Sequence, residues 1–388
     1  MKILIITRGF PSEKDPFLGN FEATQAFALQ RAGHQVIYLG VGYLPPNPKY
    51  FLMIFRLLTL KSFVRNGLIV YNKFFLSFPG RWSRKLSGLI IFNQVDKIYK
   101  KIEKTHGKPD IIHSHYLYIS YYSSILKNKY NLPFICTEHW SQLQSANLPA
   151  GIQFMGEKTY PLADRVIAVS SSLQAKLNLN FGQNSIVVHN MVDNAFFDGK
   201  SVIHRNDGKF KFVSVGHLIE RKGHDILLKA FAKADFEDNV TLSIIGDGVE
   251  KLTLQKLIDQ LKLTDRVSLV GFKNMQEINQ LLMESDAFVL ASRKETFGVV
   301  YIEALAKGLP VIATICGGPE EFVNENNGLL VPVEDVDKLC EALRTMYLNR
   351  NKYNSEAIIE QCKENFSENV IVKKITSVYR EVLNKIEK

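Results

Sequence analysis

Short apolar runs recur along the chain, and between them lie longer stretches whose apolar positions repeat every three to four residues. The first runs fall at residues 3–7, 35–38, 110–115, 134–137, 165–170 and 185–189, with a helix at 21–32 and further helices in the other gaps. Short strands separated by helices predict βαβ units and a parallel sheet. The pattern pauses at 194–209, a polar stretch that reads as a linker. It resumes with strands at 212–215, 241–245, 267–270, 287–290, 310–313 and 329–331. Helices are expected from about 224 and 248, and at 275–284, 299–307 and 336–347, with an amphipathic helix at 368–388. The expected architecture is α/β, with two doubly wound Rossmann-like domains, 1–195 and 196–367, facing each other across a cleft. The last helix is expected to pack back on the first domain. In open α/β sheets, ligands bind at the carboxyl ends of the strands.

The 388 residues suffice for two domains at roughly 150 residues each. A hydrophobic content of 46% argues against wholesale disorder. Cys136, Cys316, Cys340 and Cys362 form no CxxC pair, so reduced thiols in a cytoplasmic protein are expected. The opening MKILIITRGF is too short for a signal peptide, and no apolar run is long enough for a membrane span.

Charge changes the picture in one place. Residues 49–108 hold nine Lys and four Arg against Asp96 and Glu103, which leaves the rest of the chain slightly acidic. The same segment carries eleven aromatics, among them Phe51, Phe55, Phe63, Phe74, Phe75, Phe78 and Trp82. Basic residues among large apolar ones read as helices on an anionic membrane surface. The competing reading makes the aromatics core and the charges a solvated face. No nucleic-acid recognition motif accompanies the segment, so no nucleic-acid partner is expected.

Four motifs fall at predicted strand ends in the second half: V-G-H-L-I-E-R-K-G at 215–223, I-G-D-G at 245–248, V-G-F at 270–272 and S-R-K-E-T-F-G-V-V-Y-I-E at 292–303. Singly they are ordinary, because glycine and aspartate dominate turns. Together they suit a sugar nucleotide. A diphosphate needs cations, here Lys222 and Arg221, and N–H groups at glycine turns such as Gly216 and Gly246 and at helix N-termini. Vicinal hydroxyls need carboxylates, and Glu303 and Glu295 stand at and before a helix start.

Glu295, seven residues and Glu303 resemble the E-x7-E motif of retaining GT-B glycosyltransferases of family GT4. G-G-P-E-E at 317–321, N-G-L-L-V-P at 327–332, H-N-M-V-D at 189–193, D-I-I-H-S-H at 110–115 and A-D-R-V-I-A-V-S at 163–170 extend the resemblance over nearly the whole chain. It implies that Lys222 contacts the donor diphosphate, Glu303 the ribose and Glu295 the transferred sugar. The N–H groups of Phe297, Gly298 and Val299 would face sugar and phosphate, and Val270 and Phe272 would lie near the base. Gly19 would approach the donor from the first domain. The family usually carries Arg where this chain has His217, and Arg221 is the candidate substitute.

His113 and His115 share one face of their strand. His115, nearer its carboxyl end, and His139 would line the donor-sugar or acceptor side, with Glu138 a weaker candidate, while His113 reads as a satisfied core histidine. The resemblance implies transfer of a sugar from a UDP- or GDP-sugar to an acceptor hydroxyl, with a glycan or lipid-linked acceptor in surface polysaccharide synthesis. No cofactor or metal is required. The pair Asp335 and Asp337 matches D-x-D formally but reads as a helix start. A sugar-nucleotide epimerase of the same fold and a non-catalytic binder are the alternatives. A nicotinamide dehydrogenase does not fit, for want of G-x-G-x-x-G after a strand.

Overall fold

The computed structural model describes residues 1–12, 18–44, 59–76, 81–145, 147–198 and 208–386, with backbone alone at 43–44, 76, 81–87 and 386. The chain divides into two compact units: Met1–His189 with Ile371–Lys388, and Asn190–Val370.

The first unit is built on eight strands: β1 (Lys2–Thr7), β2 (Gln35–Leu44), β3 (Lys61–Arg65), β4 (Leu68–Leu76), β5 (Ile111–His115), β6 (Phe134–Glu138), β7 (Arg165–Ala168) and β8 (Ile186–Val187). Their order is β3-β4-β2-β1-β5-β6-β7-β8, and every neighbouring pair is parallel except β3–β4. Residues such as Leu4, Ile5, Ile112 and Phe134 are fully buried. Strands covered on both faces bury both sets of side chains, which is why they read as continuous apolar runs. Helices α1 (Asn20–Arg31), α2 (Arg81–His106), α3 (Leu117–Tyr130), α4 (Ala150–Thr159) and α5 (Ser171–Phe181) accompany the sheet.

Here the structure corrects one expectation. Residues 61–76 form a hairpin rather than a membrane-surface helix, and among the described residues of the basic segment only α2 is helical. The cause is local. Arg65 pairs with Leu68, which leaves Asn66-Gly67 as a two-residue loop with φ of 49° and 82°. Both are left-handed, as the tight turn matching strand twist requires. The flanking K-S-F-V-R and L-I-V-Y-N-K-F-F-L are rich in β-branched and aromatic residues. Phe75 is core and Phe63 is exposed. Phe51, Phe55, Phe78 and the Trp82 side chain lie outside the described residues.

The second unit holds six parallel strands, β9 (Phe210–Val215), β10 (Val240–Ile245), β11 (Val267–Gly271), β12 (Ala287–Leu290), β13 (Val311–Thr314) and β14 (Gly328–Val331), in the order β11-β10-β9-β12-β13-β14. Its helices are α6 (His224–Lys233), α7 (Lys251–Gln260), α8 (Met275–Met283), α9 (Val299–Ala306), α10 (Val336–Leu348) and α11 (Ser355–Phe366). Helix α7 begins three residues later than expected. Leu218 holds the preceding loop open, its N–H donating to Asp247 at 3.0 Å and its carbonyl accepting from Glu250 at 2.9 Å. Asp335 caps α10, accepting from the Lys338 N–H at 2.9 Å, and Asp337 pairs with Lys233. The expected linker begins with a short turn, Asn194–Phe196, whose Phe196 is buried. Helix α12 (Glu368–Ile386) closes the chain. From Ile371 onward it belongs to the first unit, where Tyr379 is buried and Glu381 pairs with Arg165.

Each sheet has one point where strand order reverses, between β1 and β5 in the first unit and between β9 and β12 in the second. Loops leave such a point in opposite directions and open a crevice at the carboxyl edge. Close backbone packing supports that edge in the second unit. A Cβ on Gly246, where φ is 148°, would lie 1.9 Å from the Gly216 carbonyl oxygen. Gly246→Ala is therefore expected to destabilise the fold by roughly 2–4 kcal/mol, read as a lowered midpoint in urea unfolding.

Candidate functional site

At the reversal point of the second unit, the loop after β9 meets the loop after β12. Gly223 makes this possible. Its φ is 65°, and a Cβ there would lie 1.9 Å from the Ala291 carbonyl oxygen. The approach sets the Lys222 Nζ 2.5 Å from Glu295 Oε1, with the two side chains only 11% and 7% exposed. Ser292 Oγ donates to the same oxygen at 2.8 Å. Burial alone would raise the Glu295 pKa, but Lys222, with Arg221 and the Ser292 hydroxyl, holds it below the usual carboxylate range. The loops are stitched further by the Arg293 N–H donating to the Arg221 carbonyl at 2.8 Å and by Arg221 Nη1 donating to the Lys294 carbonyl at 3.3 Å. The Arg293 guanidinium forks onto Asp225 at 2.9 and 3.0 Å.

The loop then enters α9. Gly298 is its N-cap, with φ of 95° and no side-chain cap. The Gly298 and Val299 N–H groups have no hydrogen-bond partner among the described residues, so this helix N-terminus has donors to spare. The Phe297 ring packs on Phe322 and Phe366, with centroids 5.2 and 5.7 Å away, which leaves only its backbone for a ligand.

One turn into α9, the half-buried Glu303 carboxylate makes no hydrogen bond or ion pair among the described residues. Burial, then the neighbouring Asp193, pushes its pKa up to about 7. A carboxylate that accepts two vicinal hydroxyls through both oxygens must be ionised. Ligand affinity at this group is therefore expected to rise with pH and level off above about 7, falling up to tenfold per unit below it; a flat titration profile between pH 5.5 and 8 would remove Glu303 from binding.

Gly216, Gly246 and Gly271 line up along the same edge after adjacent strands, and the Gly246 N–H donates to the Gly271 carbonyl at 2.9 Å. Val270 is half-buried and Phe272 is exposed beside them. Sequence reasoning missed His224, buried beside the His217 backbone with its pKa lowered to about 4, mainly by burial. Its place directly after Lys222-Gly223 was the available signal.

In the first unit, His113 lies in the middle of β5, His115 ends that strand and His139 directly follows β6. His113 is saturated: it bonds to the Tyr379 hydroxyl and the Thr137 hydroxyl, both at 2.6 Å. It is the core histidine the sequence suggested. Its ring stacks on His115 at 4.5 Å, and His115 Nδ1 meets His139 Nε2 at 3.0 Å. His115 Nε2 is buried without a partner. Burial lowers all three pKa values, with His113 and His139 at about 3, so the rings are neutral at pH 7. Glu138 is buried, accepts from the Leu117 N–H at 3.1 Å, and has its pKa raised by burial to about 8. Gly19 caps α1 with φ of 74°, and a Cβ there would lie 2.0 Å from the Gly9 carbonyl oxygen.

Sequence reasoning also missed Arg8. It follows β1, forms an ion pair with the fully buried Glu22 at 3.2 Å, and lies 3.8 Å over the Tyr116 ring. Its position at a strand's carboxyl end could have found it.

Two α/β units of this kind, each with one strand-order reversal, are the architecture of the GT-B glycosyltransferases. Known proteins agree. The family model described as Glycosyltransferase Family 4 matches residues 23–196, and that described as Glycosyl transferases group 1 matches residues 198–364. The uncharacterized glycosyltransferase MJ1178 of Methanocaldococcus jannaschii is 30% identical over 84% of this chain and 90% of its own. An N-acetylgalactosamine-N,N'-diacetylbacillosaminyl-diphospho-undecaprenol 4-alpha-N-acetylgalactosaminyltransferase of Campylobacter jejuni is 32% identical over 50% of this chain and 53% of its own. The crystal structure of Anabaena Alr3699/HepE in complex with UDP superposes with a TM-score of 0.74 at 20% identity, covering 98% of this chain and 100% of that one. The chain belongs to the group 1 glycosyltransferases.

Proposed function

We propose that the protein is a retaining glycosyltransferase that moves a sugar from a UDP- or GDP-sugar to a hydroxyl of a lipid-linked or growing glycan, in the building of a surface polysaccharide. The observation that carries this reading is the buried Lys222–Glu295 pair, beside the free N–H groups of Gly298 and Val299 and the uncommitted Glu303. Lys222 and the α9 N-terminus stabilise charge on the departing diphosphate. Glu303 accepts the ribose hydroxyls and Glu295 those of the transferred sugar, while His115 and His139 line the sugar or acceptor side. UDP in the HepE structure supports a nucleoside diphosphate, and the Campylobacter relative's name supports a polyprenyl-diphosphate-linked acceptor. No metal enters this chemistry, because cationic side chain and helix N–H groups take the charge.

The basic segment 49–108 holds the enzyme at an anionic membrane face in this reading. Lys61, Phe63, Val64 and Arg65 of β3 and Leu89 and Ile90 of α2 are exposed there. No described helix is long and apolar enough to cross a membrane.

The test is incubation with UDP- and GDP-sugars and polyprenyl-diphosphate glycan acceptors, with and without EDTA, with the product's anomeric configuration read by NMR. Retained configuration and EDTA-insensitive transfer are expected. Donor converted to an epimer without acceptor would replace this reading, and inverted product would remove the retaining assignment. Flotation with anionic vesicles tests the membrane part, which fails if none of the protein floats.

A further inference from the structure

The strand-order reversal in the first unit carries a feature that the donor chemistry does not use. Arg8, Tyr116 and His139 each immediately follow one of three adjacent parallel strands, β1, β5 and β6. The Arg8 guanidinium lies 3.8 Å over the Tyr116 ring, Tyr116 is 5.1 Å from His139, and His139 is 5.3 Å from His115. Glu22 on α1 is fully buried and grips Arg8 only through Nε, at 3.2 Å. The two terminal nitrogens of Arg8 make no hydrogen bond among the described residues, and the side chain is 25% exposed. The fork is thus oriented from behind and from below, with its outer N–H groups unused.

Two further observations point to a ligand. Tyr116 is held at φ 67°, a costly conformation for a bulky residue, and such strain collects at binding sites. The Nε2 of His115, in the same stack, is buried and unpaired. The edge hairpin also comes close. Phe63 of β3 packs on Phe10 at 5.6 Å, and the exposed Arg65 stands 5.7 Å from the same ring, two residues along from Arg8.

We propose that Arg8 is the fork of an oxyanion subsite in the first unit, and that it takes the diphosphate of a lipid-linked acceptor. A planar fork with two free terminal NH2 groups matches phosphate oxygens bidentately. Arg65 adds a second cation and Phe63, on the same strand face, an apolar edge, which suits a diphosphate attached to a lipid. The source of the phosphate rests on the proposed acceptor class, whereas anion binding at Arg8 does not.

The test titrates inorganic pyrophosphate, and separately farnesyl diphosphate, into the full chain saturated with UDP, so that donor phosphate positions are filled. Arg8→Ala would strand the buried Glu22 charge, so the variants are Arg8→Lys and the double substitution Arg8→Gln with Glu22→Gln, which keeps the buried pair neutral. Wild type is expected to bind pyrophosphate beside UDP, and the double variant to bind it about tenfold more weakly or worse while its UDP affinity stays within about twofold. Arg8→Lys is expected to fall between, because a point charge replaces the fork. Farnesyl diphosphate is expected to bind more tightly than pyrophosphate; equal affinity would overturn the lipid assignment. Pyrophosphate affinity unchanged in the double variant overturns the subsite, as does an equal loss of UDP affinity, which would give Arg8 to the donor. If neither UDP nor GDP binds wild type, the proposed function falls, and pyrophosphate titrated alone still decides Arg8.

Discussion

Lys222→Ala is expected to weaken donor binding by roughly two orders of magnitude, measured by calorimetric titration with the sugar nucleotide. Lys222 is only 11% exposed and ends 2.5 Å from Glu295. In so dry a place a cation attracts a diphosphate far more strongly than it would in water. Removing it also leaves Glu295 buried without its counter-charge, which costs about 3–5 kcal/mol when no group replaces the partner. The two effects separate experimentally. Unfolding midpoints report the stranded carboxylate, and the stability loss should shrink as the pH falls and Glu295 takes up a proton. Donor affinity, measured where the variant is folded, reports the lost cation. Unchanged donor affinity would remove Lys222 from the diphosphate.

Glu295→Gln is expected to act differently. Turnover should fall by about two to three orders of magnitude, the scale of losing one preorganised charge or hydrogen bond to the transition state. Affinity for free nucleoside diphosphate should hold or rise. Glu295 already pairs with Lys222, so a diphosphate drawn to that cation competes with a carboxylate. The glutamine keeps the shape and the Ser292 contact but removes that competitor. Steady-state kinetics and nucleotide titration on the same preparation check both halves. Weaker nucleotide binding with normal turnover would reverse the roles given to Glu295 and Lys222.

Much of the candidate site was legible because its signals are local. Lys222, Glu295 and Gly298 sit in loops whose glycines and strand-end addresses mark them, and Glu303 lies in the helix that the last of these loops enters. The hairpin at 61–76 was missed because charge and aromatic density outweighed Asn66-Gly67, a two-residue signal inside a strongly basic stretch. Arg8 and His224 were missed because neither repeats nor pairs with anything nearby in sequence. Their meaning comes from Glu22 and Tyr116 in one case and from a buried helix start in the other.

The chain's own order of residues determines two α/β units, because apolar runs of strand length separated by helical periods admit few other arrangements. It also determines which residue types stand at strand ends. Only the tertiary structure decided which strand ends adjoin. Strand order follows from crossover connections, and those depend on which faces bury best rather than on the nearest neighbour in sequence. That order brings Lys222 to Glu295 across 73 positions, and the packing of the last helix on the first unit brings Tyr379 to His113 across 266. It also decided charge states. Glu295 stays ionised because a cation shares its burial, while Glu303, without one, sits near the midpoint of its titration at neutral pH. Burial and pairing are properties of the packed neighbourhood, and no residue carries them alone.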